Sequence, residues 1–205
     1  RQTEEYTGAI HLNLHGDSCS SWHFDIANNV IRAEEGPCVS VTKGCGVGIA
    51  FNTMIATGNR GIHFDNQDEE VHESGIVIAS NIIGGPGSSG TGVVNEHALA
   101  DWLTSSYEGN LLYGFASAFD GEVTDGGSNS FHEGGDLSGA PFAGGPAGDP
   151  SDGDDADYQL VDAGGTTYAV DLGVWNNWDG PSFDFEGDEG PQGADYDRGA
   201  DEKVP

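Results

Sequence analysis

The densest group of reactive side chains lies in a short acidic segment that begins and ends near a histidine. His63 and His72 bracket the segment. Carboxylates accept hydrogen bonds from sugar hydroxyls and ligate cations, and an imidazole exchanges protons near neutral pH. The segment therefore predicts a loop that holds a cation or a sugar, with a merely solvated acidic loop as the alternative. Its acidic residues are Asp65, Asp68, Glu69 and Glu70.

An aspartate-rich segment further along the chain has the composition of a calcium loop. Oxygen ligands at short spacing beside a glycine suit Ca²⁺, although the spacing of an EF-hand is absent. We predict that Ca²⁺ binds here, with a hydrated acidic loop as the alternative. The expected metal ligands are Asp149, Asp152, Asp154, Asp155 and Asp157.

Two tryptophans near the C-terminus, Trp175 and Trp178, stand on either side of Asn176 and Asn177. Aromatic surface beside a few polar groups is typical of ligand sites, but the same rings would also plug the open end of a repetitive fold. Together with the histidine-bracketed segment they complete the predicted glycan-binding set. Its members are His63, Glu69, Glu70, His72, Trp175 and Trp178.

The charge balance limits the classes of partner. The chain has 35 acidic residues against 6 Lys and Arg, a formal net charge of −29. Without a basic face it is not expected to bind nucleic acid or anionic lipid. No apolar run approaches the roughly 20 residues of a membrane span. The acidity indicates adaptation to high salt, with the binding of many Ca²⁺ ions as the alternative.

The fold that positions these residues is expected to repeat. The tetrapeptide Ile-Ala-x-Asn begins at Ile26, Ile49 and Ile78, 23 and 29 residues apart, and a weaker copy contains Asn110. A second series of short alternating strands advances in step with the first. Its leading apolar residues are Val39, Ile62 and Val93.

Such a period, built from short strands and glycine turns, predicts a parallel β-solenoid with two columns of strands. The leucine spacing of leucine-rich repeats is absent, and a β-sandwich is the main alternative. Equivalent residues of successive coils should stack, so that amide side chains bond to one another and to turn backbone groups. The predicted structural ladder consists of Asn29, Asn52, Asn81 and Asn110.

The segment Gly75-Ile-Val-Ile-Ala-Ser-Asn-Ile-Ile83 resembles the coils of the pectate-lyase-like superfamily of right-handed parallel β-helices. The segment from Asp184 to Glu202 is similar to the C-terminal ending of secreted choice-of-anchor Q proteins. It departs from that ending at Arg198, where the family usually has Ile, and at Asp201, where it has Tyr. The resemblance implies an all-β, right-handed parallel β-helix with loop insertions and an irregular acidic C-terminal cap.

The resemblance also implies candidate catalytic residues. Polysaccharide lyases of this fold combine a cationic base with an acidic cluster that holds Ca²⁺. Lys43 and Arg60 are similar in placement to the Lys and Arg of alginate- and chondroitin-type lyases, but the Arg-His-Gly run expected after the next strand begins here with Asp65. The candidate catalytic set is therefore Lys43, Arg60 and Asp65, with salt bridges in turns as the alternative role.

One domain accommodates the whole chain. We expect β-helix coils over residues 1–120, Gly- and Asp-rich loops over 121–157, and C-terminal strands with a capping tail over 158–205. Cys19, Cys38 and Cys45 match no zinc spacing. One disulfide with a free thiol leaves three pairings open, and three small buried residues are the alternative.

The predicted function is an extracellular or cell-surface, non-catalytic protein with a structural, adhesive or assembly role and polysaccharide as a further contact. The strand-like residues 10–14 show no capping helix, so upstream coils have been lost or this end pairs with another subunit. Expected partners are therefore further copies or other surface proteins. The alternatives are a polysaccharide-binding module and a Ca²⁺-dependent polysaccharide lyase or glycoside hydrolase.

Overall fold

The computed structural model describes about half of the chain, in segments separated by gaps. The described residues are 9–13, 24–43, 46–64, 76–85, 89–96, 106–120, 125–127, 129–133, 182–183, 187, 189 and 197–199. These residues form strands, turns and bends, with fifteen strands of three to five residues.

The strands form three sheets, and every third strand along the chain belongs to the same sheet. Sheet A consists of β1 (Ile10–Asn13), β4 (Val39–Lys43), β7 (Arg60–Phe64), β10 (Thr91–Asn95) and β13 (Ser117–Asp120). Sheet B consists of β2 (Phe24–Ala27), β5 (Val47–Ala50), β8 (Val77–Ala79), β11 (Ser106–Glu108) and β14 (Asp125–Gly127). Sheet C consists of β3 (Val30–Ala33), β6 (Thr53–Ala56), β9 (Ile82–Gly84), β12 (Leu111–Phe115) and β15 (Ser130–Glu133).

Neighbouring strands within each sheet are parallel, so the chain winds through the three sheets once per coil. Equivalent residues pair with each other; for example, Ile26 pairs with Ile49, which pairs with Ile78. The predicted all-β parallel solenoid is confirmed. The predicted two columns of strands are three.

The third column arises because each Ile-Ala-x-Asn tetrapeptide contains a turn between two strands. Its third residue, Asn28, Phe51 or Ser80, has a positive φ of 52–58°. This left-handed backbone ends the strand of sheet B and redirects the chain into sheet C. A positive φ is uncommon for residues other than Gly, Asn and Asp, so Phe51 and Ser80 give little sequence signal for the turn.

The asparagine that follows each turn forms a continuous hydrogen-bonded ladder. Asn52 donates from its backbone N and its Nδ2 to the Oδ1 of Asn81, both at 3.0 Å. Asn81 donates in the same way to Asn110 at 3.0 and 2.9 Å, and Asn29 to Asn52 at 3.1 Å. The ladder has a further rung, Asn129, whose Oδ1 accepts from Asn110 at 2.9 and 3.1 Å.

The coils extend further than the sequence predicts. The loop region expected over 121–157 contains β14 and β15, which pair with β11 and β12 of the preceding coil. Phe131 of β15, at 40% exposed, is the apolar residue aligned with the inward-facing Leu112. The strands of this coil contain few apolar residues. Backbone pairing and the hydrogen bonds of Asn129, rather than side-chain burial, join it to the preceding coil.

The central core is a stack of apolar side chains enclosed by the three sheets. Ile49 and Ile78 of sheet B, Met54 of sheet C and Ile62 of sheet A are fully buried members of one cluster. Stacking of similar residues from coil to coil gives a dry interior.

Sheet C is buried on its outer face as well. Residues that alternate with the core residues, and so point away from it, are nevertheless shielded from solvent: Ile55, Ile82, Leu111 and Tyr113 are at most 2% exposed. Part of the C-terminal tail covers this face. Gly199 donates from its backbone N to the carbonyl of Ser80 at 2.8 Å.

The same tail segment buries two charged residues, Asp197 and Arg198, at 2% and 3% exposed. Burial lowers the pKa of Arg198 to about 10, and the electrostatic influence of Tyr107 partly opposes this effect. Residues 197–199 are therefore buried parts of the folded unit, and Gly199 contacts coils far from it in sequence.

Candidate functional site

The outer face of sheet A carries polar side chains where sheet C carries apolar ones. Along β7, Ile62 and Phe64 point into the central core, so His63 between them points outward. The pairing register places Ser40 on one side of His63 and Val94 on the other. His63 is 7% exposed, so its ring lies beneath the surface side chains around it.

His63 connects a cation and an anion. Its Nε2 lies 3.0 Å from Oε1 of Glu96, and Nη1 of Arg60 lies 3.1 Å from Nε2 and 3.3 Å from Nδ1. Arg60 and Glu96 are themselves 3.9 Å apart, with side chains 44% and 43% exposed. The backbone N of Glu96 donates to the carbonyl of Phe64 at 3.1 Å, which fixes its position beside β7.

The contacts of His63 involve both of its ring nitrogens. The Glu96 carboxylate only accepts hydrogen bonds, so Nε2 of His63 carries the proton and donates to it. Nη1 of Arg60 is nearly equidistant from the two ring nitrogens, so the guanidinium lies against the face of the imidazole. The three side chains form one cluster, with Arg60 against the ring and Glu96 at Nε2.

A groove of about 470 Å³ runs beside this chain on the outer face of sheet A. Three consecutive coils contribute to its wall, because β7, β10 and β13 are adjacent strands. Asparagine, serine and threonine groups in the wall can donate to and accept from hydroxyl groups. The lining residues are Asn59, Arg60, Ser89, Gly90, Thr91, Val94, Glu96 and Asp120.

The groove is weakly acidic within a strongly acidic chain. Among its lining residues Arg60 is the cation, while Glu96 and Asp120 are anions. The cation is 3.9 Å from one of those anions, and the chain as a whole has a net charge of −29. These charges disfavour a polyanionic ligand.

Of the residues that the sequence indicates, Arg60 and His63 lie together in the structure. They were predicted for different roles, catalysis and glycan contact, and they form one cluster. Glu96 was not predicted. The repeat carries a signal for it, since the 31-residue offset between Ile62 and Val93 places Val94 beside His63, and Glu96 follows two residues later on the same face.

The remaining predicted site residues lie outside the described residues, or have only a described backbone. Lys43 belongs to β4, and its side chain is outside the description. The others are Asp65, Glu69, Glu70, His72, Asp149, Asp152, Asp154, Asp155, Asp157, Trp175 and Trp178. Their roles, including Ca²⁺ binding, stay predictions.

Three further observations concern the described part of the chain. No group of three or more His, Cys, Asp or Glu side chains within it could hold a metal ion. It contains no helix with the length and hydropathy that a membrane crossing requires. Cys38 is a buried free thiol, and burial raises its pKa to about 12.

Comparison of the chain with protein-family models, curated proteins and solved structures finds no match.

Proposed function

We propose that the protein is a non-catalytic, extracellular or cell-surface β-solenoid that adheres to a polysaccharide along the sheet A groove. The observation that carries the proposal is the groove itself, which collects uncharged and charged polar side chains from three consecutive coils. Successive coils are about 4.8 Å apart along the solenoid axis. A linear polymer placed along that axis would therefore meet equivalent positions of one coil after another.

The charge of the groove favours a neutral polysaccharide. A uronate polymer would bring a carboxylate per acidic sugar towards Glu96 and Asp120, in a protein with a net charge of −29. Hydroxyl groups of a neutral sugar would instead accept from Arg60 and Asn59 and donate to the carboxylates. This preference also argues against the lyase alternative, whose substrate is a uronate.

The state of His63 supports binding rather than proton transfer. A general base needs a free lone pair within hydrogen-bond reach of the substrate. The ring of His63 is 7% exposed and is occupied by Arg60 and Glu96. A protein-bound guanidinium is a donor that does not give up its proton, so Arg60 can orient a ligand but is a poor base.

Affinity electrophoresis through gels containing neutral or uronate polysaccharides tests the proposal. Thr91 lines the groove, and Thr91→Tyr would fill it while keeping a strand-compatible residue. Glu34, an exposed turn residue outside the groove, provides the control Glu34→Tyr. We expect a neutral polysaccharide to retard the wild type and Glu34→Tyr, and Thr91→Tyr to lose most of that retardation. Equal retardation of all three, or none, overturns the proposal.

A glycoside hydrolase is the second candidate, because two carboxylates line the same groove. Asp120 pairs with Val94, two residues before Glu96, so the two acidic residues lie diagonally across adjacent strands. Hydrolysis of a glycosidic bond requires two carboxyl groups at a suitable separation. Release of reducing ends that stops in both Glu96→Gln and Asp120→Asn would establish this function instead.

A further inference from the structure

We propose that Arg60 is locked as a two-point donor for adjacent hydroxyl groups of a neutral sugar, and that His63 is the positioning residue that locks it. The proposal rests on the proposed function for its ligand and adds the feature of the sugar that the groove selects. Its structural basis is the cluster of Arg60, His63 and Glu96 on the outer face of sheet A.

The guanidinium of Arg60 lies on the flat face of the His63 ring. Nη1 is 3.3 Å from Nδ1 and 3.1 Å from Nε2. An atom in the ring plane that is this close to both nitrogens would overlap a ring carbon, so Nη1 lies above the plane. Guanidinium groups stack on aromatic faces in this way. The ring is itself held in place, because it is 7% exposed and its Nε2 lies 3.0 Å from Oε1 of Glu96.

These contacts leave one edge of the guanidinium for a ligand. Nη1 is occupied, since it contacts His63 and lies 3.9 Å from Oε1 of Glu96. Within the described part of the chain these are the polar contacts of the Arg60 side chain, and they involve neither Nε nor Nη2. Nε–H and one Nη2–H point in parallel and form a fork that binds two neighbouring oxygens. Arg60 is 44% exposed and lines the groove, so this fork is available to a ligand there.

The charges around the fork determine which pair of oxygens it would take. A sugar carboxylate matches a guanidinium fork, but Glu96 and Asp120 line the same groove and would repel it. Two hydroxyl oxygens on adjacent carbons offer a pair of acceptors without a charge, and their protons can be donated to these carboxylates. A pair of adjacent hydroxyl groups is therefore the feature that the groove selects.

Two neutral glucose oligomers that differ in linkage test this selection. Cellohexaose, linked through carbon 4, has free adjacent hydroxyls at carbons 2 and 3 of every residue, whereas laminarihexaose, linked through carbon 3, has none within its chain. We expect the wild type to bind cellohexaose about tenfold more tightly, the contribution of charge-assisted hydrogen bonds. The preference should disappear in Arg60→Gln, which separates the fork from the different shapes of the oligomers. Equal binding of both by the wild type, or a preference that survives in Arg60→Gln, overturns the selection.

Substitutions of His63 test whether it acts through Arg60. His63→Ala removes the flat surface and should weaken cellohexaose binding about fivefold, the cost of ordering one long side chain at the ligand. His63→Phe keeps a ring on which a guanidinium stacks and should bind to within about twofold of the wild type. In the Arg60→Gln background, His63→Ala should cause no further loss. Fully additive losses, or a His63→Phe variant that binds no better than His63→Ala, overturn the positioning role.

A ligand-free measurement keeps this proposal separate from the proposed function. The heteronuclear NOE of the Arg60 Nε–H group reports its mobility on the picosecond to nanosecond scale. We expect this group to be rigid in the unliganded wild type and mobile in His63→Ala. Equal mobility in the two proteins overturns the proposal. A rigid Arg60 in a protein that binds no neutral oligosaccharide overturns the proposed function and the sugar ligand, while the locking of Arg60 by His63 stands.

Discussion

At the scale of single residues, the ladder asparagines satisfy backbone groups that the solenoid turns would otherwise leave unpaired. The side chain and backbone N of Asn81 take part in five hydrogen bonds: Oδ1 accepts twice from Asn52, the backbone N and Nδ2 both donate to Asn110, and Nδ2 also donates to the carbonyl of Ile49 at 2.7 Å. Because Asn81 is completely buried, water cannot replace these partners. The repeated asparagine is thus explained by structure without any role in ligand binding.

Replacement of a central rung should cost far more stability than replacement of a terminal one. We expect Asn81→Ala to lower the free energy of unfolding by about 4 kcal/mol, since it leaves several buried groups without partners. Asn29→Ala, at the exposed end of the ladder, should cost about 1 kcal/mol. Urea denaturation of both variants measures the difference, and equal losses would contradict the ladder's proposed share in stability.

At the scale of elements, the tail docks on sheet C, and the pattern of strands in the sequence does not predict this contact. Gly199 has a φ of +91°, and a side chain there would come within 2.7 Å of Ile82 and 2.8 Å of Thr53. The tail backbone therefore lies directly against the outer apolar face of sheet C. Gly187 has nearly the same backbone, with a φ of +92°, but no atom within 4 Å of a side chain built there.

These two glycines form a matched pair for measuring the docking. Gly187→Ala should cost about 1 kcal/mol from backbone strain. Gly199→Ala should cost about 3 kcal/mol, because overpacking against sheet C adds to the same strain. We expect only Gly199→Ala to increase amide exchange along β6 and β9. Identical behaviour of the two variants in denaturation and exchange would show that the tail contact contributes nothing.

The sequence predicts the coils better than their boundaries. The first residue of Ile-Ala-x-Asn is an isoleucine that points into the core, and the last is an asparagine of the ladder. Three copies of this tetrapeptide therefore predicted that successive coils stack in parallel. The turn inside the tetrapeptide was missed because Phe51 and Ser80 are not typical left-handed residues. The last coil was missed because β14 and β15 offer little beyond backbone pairing and Asn129 to mark them.

The candidate site was only partly predictable, because its members come from different coils. Arg60 and His63 belong to one strand and were identified by residue type. Glu96 lies 33 residues after His63, and only the register of β7 against β10 brings the two together. The acidic segment that follows His63 drew attention by its density of charge, whereas the interaction at His63 depends on a single carboxylate.

At the scale of the whole molecule, the surface charge should determine the conditions under which the solenoid is stable. A net charge of −29 on 205 residues produces strong self-repulsion in dilute buffer. The screening length is about 10 Å at 0.1 M salt and about 3 Å at 1 M. High salt thus removes a destabilising contribution without changing a single packing contact.

We therefore expect the urea midpoint of unfolding to rise markedly between 0.1 M and 3 M KCl. Sucrose at matched osmolarity serves as the uncharged control, and it should raise the midpoint less than KCl does. Sedimentation velocity under the same conditions reports whether the protein self-associates. A midpoint that is insensitive to KCl would contradict adaptation to high salt.

The central claim is that the sheet A groove binds a neutral polysaccharide without cleaving it. Isothermal titration of the wild type and Thr91→Tyr with a panel of neutral and uronate oligosaccharides, followed by a reducing-end assay of the same samples, tests it most directly. The account predicts heat of binding from a neutral oligosaccharide, its loss in Thr91→Tyr, and no new reducing ends. Binding of the uronates alone, unchanged binding by Thr91→Tyr, or the appearance of new reducing ends would contradict it.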